Sequence, residues 1–455
     1  MKPTLPERTP LTEDLRHQFR ESQLLGAVGA IGLVLQAVAI GLFSGLTIGI
    51  FRLAYSALNA TSVQRATQWL DMGWRGLAII AACLAALCLL SGLLLRIEPM
   101  IGGSGIPQVE LAQAGKYPPM IWYRVLAAKF LATLTSLTAG LSVGREGPCI
   151  QMGAAIGVGV GSFFHGRHAQ DMHRYLSGGA VAGMTSAFSS PIAGVLFAIE
   201  DMRIVLDRRM FLFLSIAALT AWASVSGILN LPLVMPFSRL EILSLGQTWI
   251  ILPASCLMGA LGAAYSRALI GCTLWEDRCT QLTGWKRLAL PFFFSGALLY
   301  AYPTVLVGFG PSQVGLEMTS LTFASLAVLF LIKSAFSCLS FASGVSGGIL
   351  MPILMAGAVA GSACAKALLF FGLISEPQYG TVMAACIAGF FSAVVRTPLC
   401  AAALLLEMTG AWSSFPVIVA ASLISGWIAD ATGTRPVYEC LRNRILEQQA
   451  RAREA

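Results

Sequence analysis

Twenty consecutive residues, Gly76–Leu95, carry no charge. A helix of that length crosses the roughly 30 Å hydrocarbon core of a bilayer. Further charge-free runs lie at Leu24–Phe51, Tyr175–Ile199, Met210–Phe237, Trp249–Tyr265, Leu288–Phe309, Leu321–Leu331, Ser334–Ala365, Cys400–Leu406 and Met408–Ile428. They are continuous and lack period-two alternation, which argues against a barrel and for an all-α integral membrane protein. Several are too long or too short for one crossing, so tilted, re-entrant and broken helices are expected. Charged residues make up 11% of the 455, where a soluble chain carries about 25%.

One apolar region holds a carboxylate where a bilayer disfavours it. Gly144-Arg145-Glu146-Gly147-Pro148 separates two charge-free stretches, Phe130–Val143 and Pro148–Phe164. An acid at that depth costs about 2.5 kcal/mol or more, which makes Glu146 a functional-site candidate. The adjacent glycines and proline break the helix. Broken backbone in a membrane is tolerated only where it lines a cavity or is buried in protein.

The head, residues 1–23, carries Glu7, Glu13, Asp14 and Glu21, unlike the basic start of a secretory signal, and reads as a retained cytoplasmic segment. Lys2, Arg8, Arg16 and Arg20 in the head match Arg435, Arg442, Arg444, Arg451 and Arg453 in the tail. The positive-inside bias then places both ends in the cytoplasm, with an even number of crossings. On this reading the net charge of +8 is topology and not a nucleic-acid surface. The eleven cysteines are scattered without a C-x-x-C pair, and His165, His168 and His173 lack i, i+4 spacing. Neither a disulfide framework nor a metal site is expected.

The chain contains itself twice. Gly144, Pro148, Gly153 and Gly157 recur 204 residues on as Gly348, Pro352, Gly357 and Gly361. Ala182-Gly183-x-x-Ser186-Ala187 recurs as Ala388-Gly389-x-x-Ser392-Ala393, and Pro191 with Glu200 recurs as Pro398 with Glu407. Generic small-residue helix packing is the bland alternative. The nearly constant offset favours two membrane repeats, 24–235 and 249–430, joined by a linker at 236–248 and followed by a cytoplasmic tail, 431–455.

Internal repeats in transporters put the ion site at the repeat interface, where broken helices end. Three glycine-rich breaks precede apolar helices: Gly102–Pro107, Gly144–Pro148 and Gly347–Pro352. Helix N-termini present unsatisfied N–H donors and partial positive charge, which suit anions. No G-x-x-x-x-G-K-[ST] loop occurs, so no nucleotide engine is indicated.

The motif Gly103-Ser104-Gly105-Ile106-Pro107, the Gly144–Pro148 motif and the Gly347–Pro352 run resemble the three signatures of the CLC chloride channel and transporter family. Pro191–Arg203, Pro398–Thr409 and Tyr438 fit in the same order, and the resemblance covers about residues 24 to 440. It implies two inverted-topology halves of tilted, broken helices, a homodimer with one pore per subunit, chloride and protons as partners, and no cofactor. By resemblance, the Ser104 and Tyr438 hydroxyls and the backbone N–H groups of Ile349 and Leu350 hold the central anion. Gly103, Gly105, Gly144, Arg145, Gly147, Pro148 and Gly348 shape that site. Glu146 resembles the gating glutamate: ionised, it can occupy an anion position; protonated, it frees the position and carries one proton. The plainer alternative makes Glu146 a structural partner of Arg145.

Two residues depart from the family pattern. Leu350 stands where phenylalanine is usual, with little consequence for a backbone contact. Asp201 stands where proton-coupled members carry an inner proton-transfer glutamate, with Glu200 one position earlier. Glu110 and Lys129 match positions near that route, and a buried Glu110–Lys129 ion pair is expected there. Ser104 and Pro148 differ from the fluoride-selective pattern, and Ser104 differs from the nitrate-preferring one, so chloride is the expected anion. Seventeen residues after Tyr438 resemble a short bacterial form in the inner membrane, without nucleotide regulation. The sequence leaves proton/chloride exchange and a passive chloride channel open on one scaffold. An organic-solute symporter fits the motifs less well, and no constellation points to an enzyme.

Overall fold

Proline and glycine decide where the helices stop and start. The computed structural model describes residues 11–165, 169–235, 241–279, 284–301, 318 and 321–454. Among these, the first half forms α1 (Leu11–Leu70), α2 (Trp74–Ile97), α3 (Ile106–Gln113), α4 (Trp122–Thr138), α5 (Glu146–His165), α6 (Ala169–Phe188), α7 (Pro191–Glu200) and α8 (Arg208–Trp222). The second forms α9 (Ile251–Arg278), α10 (Trp285–Ala301), α11 (Phe323–Ala342), α12 (Leu350–Phe370), α13 (Tyr379–Val395), α14 (Pro398–Thr409), α15 (Phe415–Ala431) and α16 (Val437–Glu454). Proline fills the first turn of α3, α7, α14 and α15, where its missing N–H costs no helical hydrogen bond.

Nine helical spans among the described residues are long and apolar enough to cross a membrane. The chain is an all-α integral membrane protein of broken helices. The run Tyr175–Ile199 breaks at Ser189, whose φ of 58° turns the chain between α6 and α7. The run Ser334–Ala365 breaks between α11 and α12, and α11 continues straight through Lys333. At ten and twelve residues, α7 and α14 reach only part of the way across a bilayer.

The repeat is visible as a repeated packing scheme. In each half a long helix (α5, α12) packs on a central one (α6, α13), which packs in turn on a short helix (α7, α14) and a further span (α8, α15). Small residues permit the closest of these contacts. A Cβ on Gly153 would stand 2.2 Å from the Gly179 carbonyl oxygen, and one on Gly361 would stand 2.8 Å from the Cys386 side chain.

The halves complete each other. The Glu407 carboxylate, ending α14, accepts from the N–H groups of Ile192 and Ala193 at 3.0 and 2.9 Å. The Glu200 carboxylate, ending α7, accepts from Leu399 and Cys400 at 3.1 and 2.7 Å. Each short helix therefore caps the other's N-terminus, which requires the two to run antiparallel. That is the inverted relation of the halves. Of the linker expected at 236–248, residues 236–240 lie outside the described residues, and Leu245–Ile250 forms a 3-10 turn leading into α9.

Candidate functional site

Three breaks meet at one place. Gly144 and Gly348, the repeat equivalents, exchange both backbone hydrogen bonds at 2.6 Å. Gly103 N–H donates to the Gly344 and Val345 carbonyls at 3.2 and 3.1 Å, and the Gly103 carbonyl accepts from Gly347 at 3.1 Å. Side chains are excluded from this junction: a Cβ on Gly347 would stand 2.5 Å from the Val143 Cβ. The turn around Ser104 needs positive φ at Gly103 and Gly105, 65° and 95°.

Buried polar groups hold the first loop. The Lys129 ammonium, fully buried, donates to the Ile101 and Gly103 carbonyls at 2.8 Å each. Gln108 and Gln151 donate to the Gly102 and Met100 carbonyls at 2.7 and 2.9 Å. Thr133 and Ser346 join the loops through their hydroxyls at 3.0 Å. The sequence reading did not single out Gln108, Gln151, Thr133 or Ser346, since lone polar residues in apolar helices carry no motif.

The predicted anion-binding groups converge on this junction. A Cβ on Gly147 would lie 2.3 Å from the Ser104 Oγ, and one on Gly348 would lie 3.0 Å from the Gly147 nitrogen. Tyr438, at the start of α16, is buried with its phenol facing Ser104. Neither hydroxyl has a hydrogen-bond partner within the protein. Buried polar atoms normally find partners, so two orphaned hydroxyls facing one another mark a place for a ligand that accepts hydrogen bonds. Ile349 and Leu350 are buried at the N-terminus of α12, whose first N–H groups have no preceding turn to bond.

Glu146 is fully buried at the start of α5. Its carboxylate faces the Met351 N–H and its own backbone without a well-aligned hydrogen bond. Arg145 Nε stands 3.6 Å from it, too far for a charge-assisted hydrogen bond, and its guanidinium sits over the Tyr55 ring at 5.9 Å.

A second acidic group lines a small cavity with Tyr438. Glu110 on α3 and Asp201 after α7 face each other, and Arg442 Nη1 reaches Glu110 Oε2 at 3.3 Å. Burial pushes both acids upward, Glu110 to about 7 with Arg442 pulling it down, and the charge of Glu110 pushes Asp201 up further. The ion pair expected between Glu110 and Lys129 does not form. Lys129 extends to the carbonyls of the 101–103 loop, and Glu110 faces the C-terminal helix instead. Glu200 lines the same small cavity, but both its oxygens are taken by the α14 N-terminus. Arg442 and Arg444, read as tail charges, are ion-paired, Arg444 to Asp277 at 2.6 Å. Of the histidine cluster, His168 and the His165 side chain lie outside the described residues, and His173 contacts Gln113 at 3.0 Å. Among the described residues no group of three or more His, Cys, Asp or Glu is placed to hold a metal ion.

Residues 84–430 match a family described as voltage gated chloride channel. The chain is 29% identical over 436 residues to the H(+)/Cl(−) exchange transporter ClcA of Cronobacter sakazakii, covering 93% of this chain and 92% of that one. It is 32% identical over 394 residues to ClcA of Yersinia pestis, covering 82% and 80%. Its structure resembles a slow cyanobacterial Cl−/H+ antiporter with a TM-score of 0.83 at 28% identity, covering 92% of this chain and 99% of that one. A eukaryotic CLC transporter shares the fold with a TM-score of 0.74 at 22% identity, covering 90% and 73%.

Proposed function

The chain belongs to the voltage gated chloride channel family, and on that premise we propose that it is a secondary active antiporter exchanging chloride for protons. The observation that carries this reading is the convergence of two unpartnered hydroxyls, Ser104 and Tyr438, and one buried carboxylate, Glu146, on a junction of three helix N-termini. Chloride sits between the Ser104 and Tyr438 hydroxyls and the N–H groups of Ile349 and Leu350. Gly103, Gly105, Gly144, Gly147, Pro148 and Gly348 keep the backbone close enough to replace water around the ion, and Arg145 adds positive charge outside it.

The Glu146 carboxylate competes for an outer anion position beside Met351 N–H. Protonation removes its charge, and chloride takes the position it leaves. Asp201 and Glu110 receive the proton from the cytoplasmic side, and Glu146 exchanges it with the outside. Glu200 and Lys129 act on this route only by holding helices and loops in place. A titratable pair on the inner side favours exchange over passive conduction, which needs no second proton acceptor. The protein works in the bacterial inner membrane as a homodimer with both termini cytoplasmic. The bacterial relatives support the bacterial setting, and the arginines of both chain ends support the orientation of the termini.

Reconstitution into liposomes with simultaneous chloride and pH recording tests the proposal. A chloride gradient should drive protons uphill, and Glu146→Gln should stop proton movement while chloride still moves. A zero-current voltage that follows chloride alone would make the protein a channel.

A further inference from the structure

Asp201 is one methylene shorter than the acid it replaces in the family pattern, and the structure places a cation on its neighbour Glu110. Glu110 Oε1 and Asp201 Oδ2 are both buried and lack a hydrogen-bond donor, although the two carboxyls face each other. A single proton held between them would satisfy both oxygens, and two full negative charges at this spacing are disfavoured. The other charged groups around them have partners of their own, and Arg203 acts on both acids only through its charge, without a contact. On α7, Glu200 caps α14, and Arg203 just beyond it pairs with Glu439 of α16 at 3.4 Å. At the end of α13, Arg396 bonds Asp430 at 2.6 Å. The phenol of Tyr438 is neutral. Arg442, one turn beyond Tyr438 on α16, is left as the cation that touches the pair.

We propose that Arg442 is a positioning residue for the inner proton acceptor. Its guanidinium holds Glu110 against Asp201 in the wall of a cavity of about 40 Å³ that both line, so that the two acids work as one single-proton site. This deepens the exchange reading and rests on it for its role in transport. Arg442 also shares its helix with Tyr438, so the proton acceptor and the anion-binding phenol are carried by one rigid element.

The test reads the acid pair directly. The infrared carbonyl band of its protonated carboxyl, assigned by its loss in Asp201→Asn, is titrated against pH in purified wild type and variants. Arg442→Met should raise the midpoint by about one pH unit or more, since an opposite charge at this distance lowers a carboxyl by that much. Arg442→Lys should restore most of the difference. Glu110→Gln, which leaves α16 untouched, should lower the Asp201 midpoint by removing the repulsion, and should shrink the effect of Arg442→Met in the double variant to the part Arg442 exerts on Asp201 through its own charge. An unchanged midpoint in Arg442→Met, or in Glu110→Gln, overturns the inference. Proton flux in liposomes is measured alongside. Wild type that moves no protons sinks the exchange reading, while the midpoints still decide the role of Arg442. Wild type that exchanges normally with unmoved midpoints sinks this inference alone.

Discussion

Truncating Glu407 to alanine removes the acceptor for two backbone N–H groups at the start of α7. The Ile192 donor is exposed, so water replaces its partner. The Ala193 donor is partly buried, and an orphaned donor there costs about 1–3 kcal/mol. Losing a carboxylate at a helix N-terminus adds about 0.3–1 kcal/mol. The expected loss is therefore about 1.3–4 kcal/mol. Glu200→Ala should cost a similar amount, because Leu399 and Cys400 repeat the arrangement, again with one exposed and one partly buried donor. The two carboxylates sit at opposite ends of the α7–α14 pair, so the double variant should be additive within about 0.5 kcal/mol. Equilibrium unfolding in mixed detergent micelles, followed by tryptophan fluorescence, measures all three. Losses below about 0.5 kcal/mol in both single variants would show that the carboxylates are not caps. Glu200→Ala should also keep proton coupling. If it folds yet moves no protons, Glu200 and not Asp201 is the inner proton group.

Asp201→Asn should slow or stop proton transport while chloride flux largely persists, read by parallel chloride and pH recording; full proton flux would remove Asp201 from the route. Ser104→Ala with Tyr438→Ala should weaken chloride binding measured by calorimetry, since hydrogen bonds to a charged ion are worth about 1.5–3 kcal/mol each. Equal affinities would leave the backbone N–H groups as the whole anion site. Lys129→Met leaves the Gly103 carbonyl with its Gly347 partner but takes a donor from Ile101. It should destabilise the protein by about 1–3 kcal/mol and weaken chloride binding, and unchanged thermal unfolding would contradict the clamp.

The features legible in the sequence were those written as backbone exceptions. Gly144 and Gly348 are spaced as repeats, and they meet because a pseudo-two-fold axis brings equivalent positions together. Pro191 and Pro398 mark the first turns of helices whose terminal glutamates recur at the same offset. What could not be read was the pairing of side chains distant in sequence. Glu110 meets Arg442 across 332 residues, and Lys129 prefers two carbonyls to a carboxylate because its long stem carries it to the 101–103 loop. The reciprocal caps were visible as matching residues but not as a bond, since spacing says nothing of which partner a carboxylate faces. Asp277, which joins Arg444 to Arg287, gave no sequence signal beyond being one acid among neighbouring charges.

The exchanged caps also set a schedule for biosynthesis. Glu407 is made 215 residues after Ile192. At about 5–20 residues per second the start of α7 waits about 10–40 s for its acceptor. Until then a short, half-spanning helix with bare N–H groups has no stable position in lipid. The nascent first half must therefore be sheltered by the insertion machinery, or held at the aqueous interface, until the second half arrives.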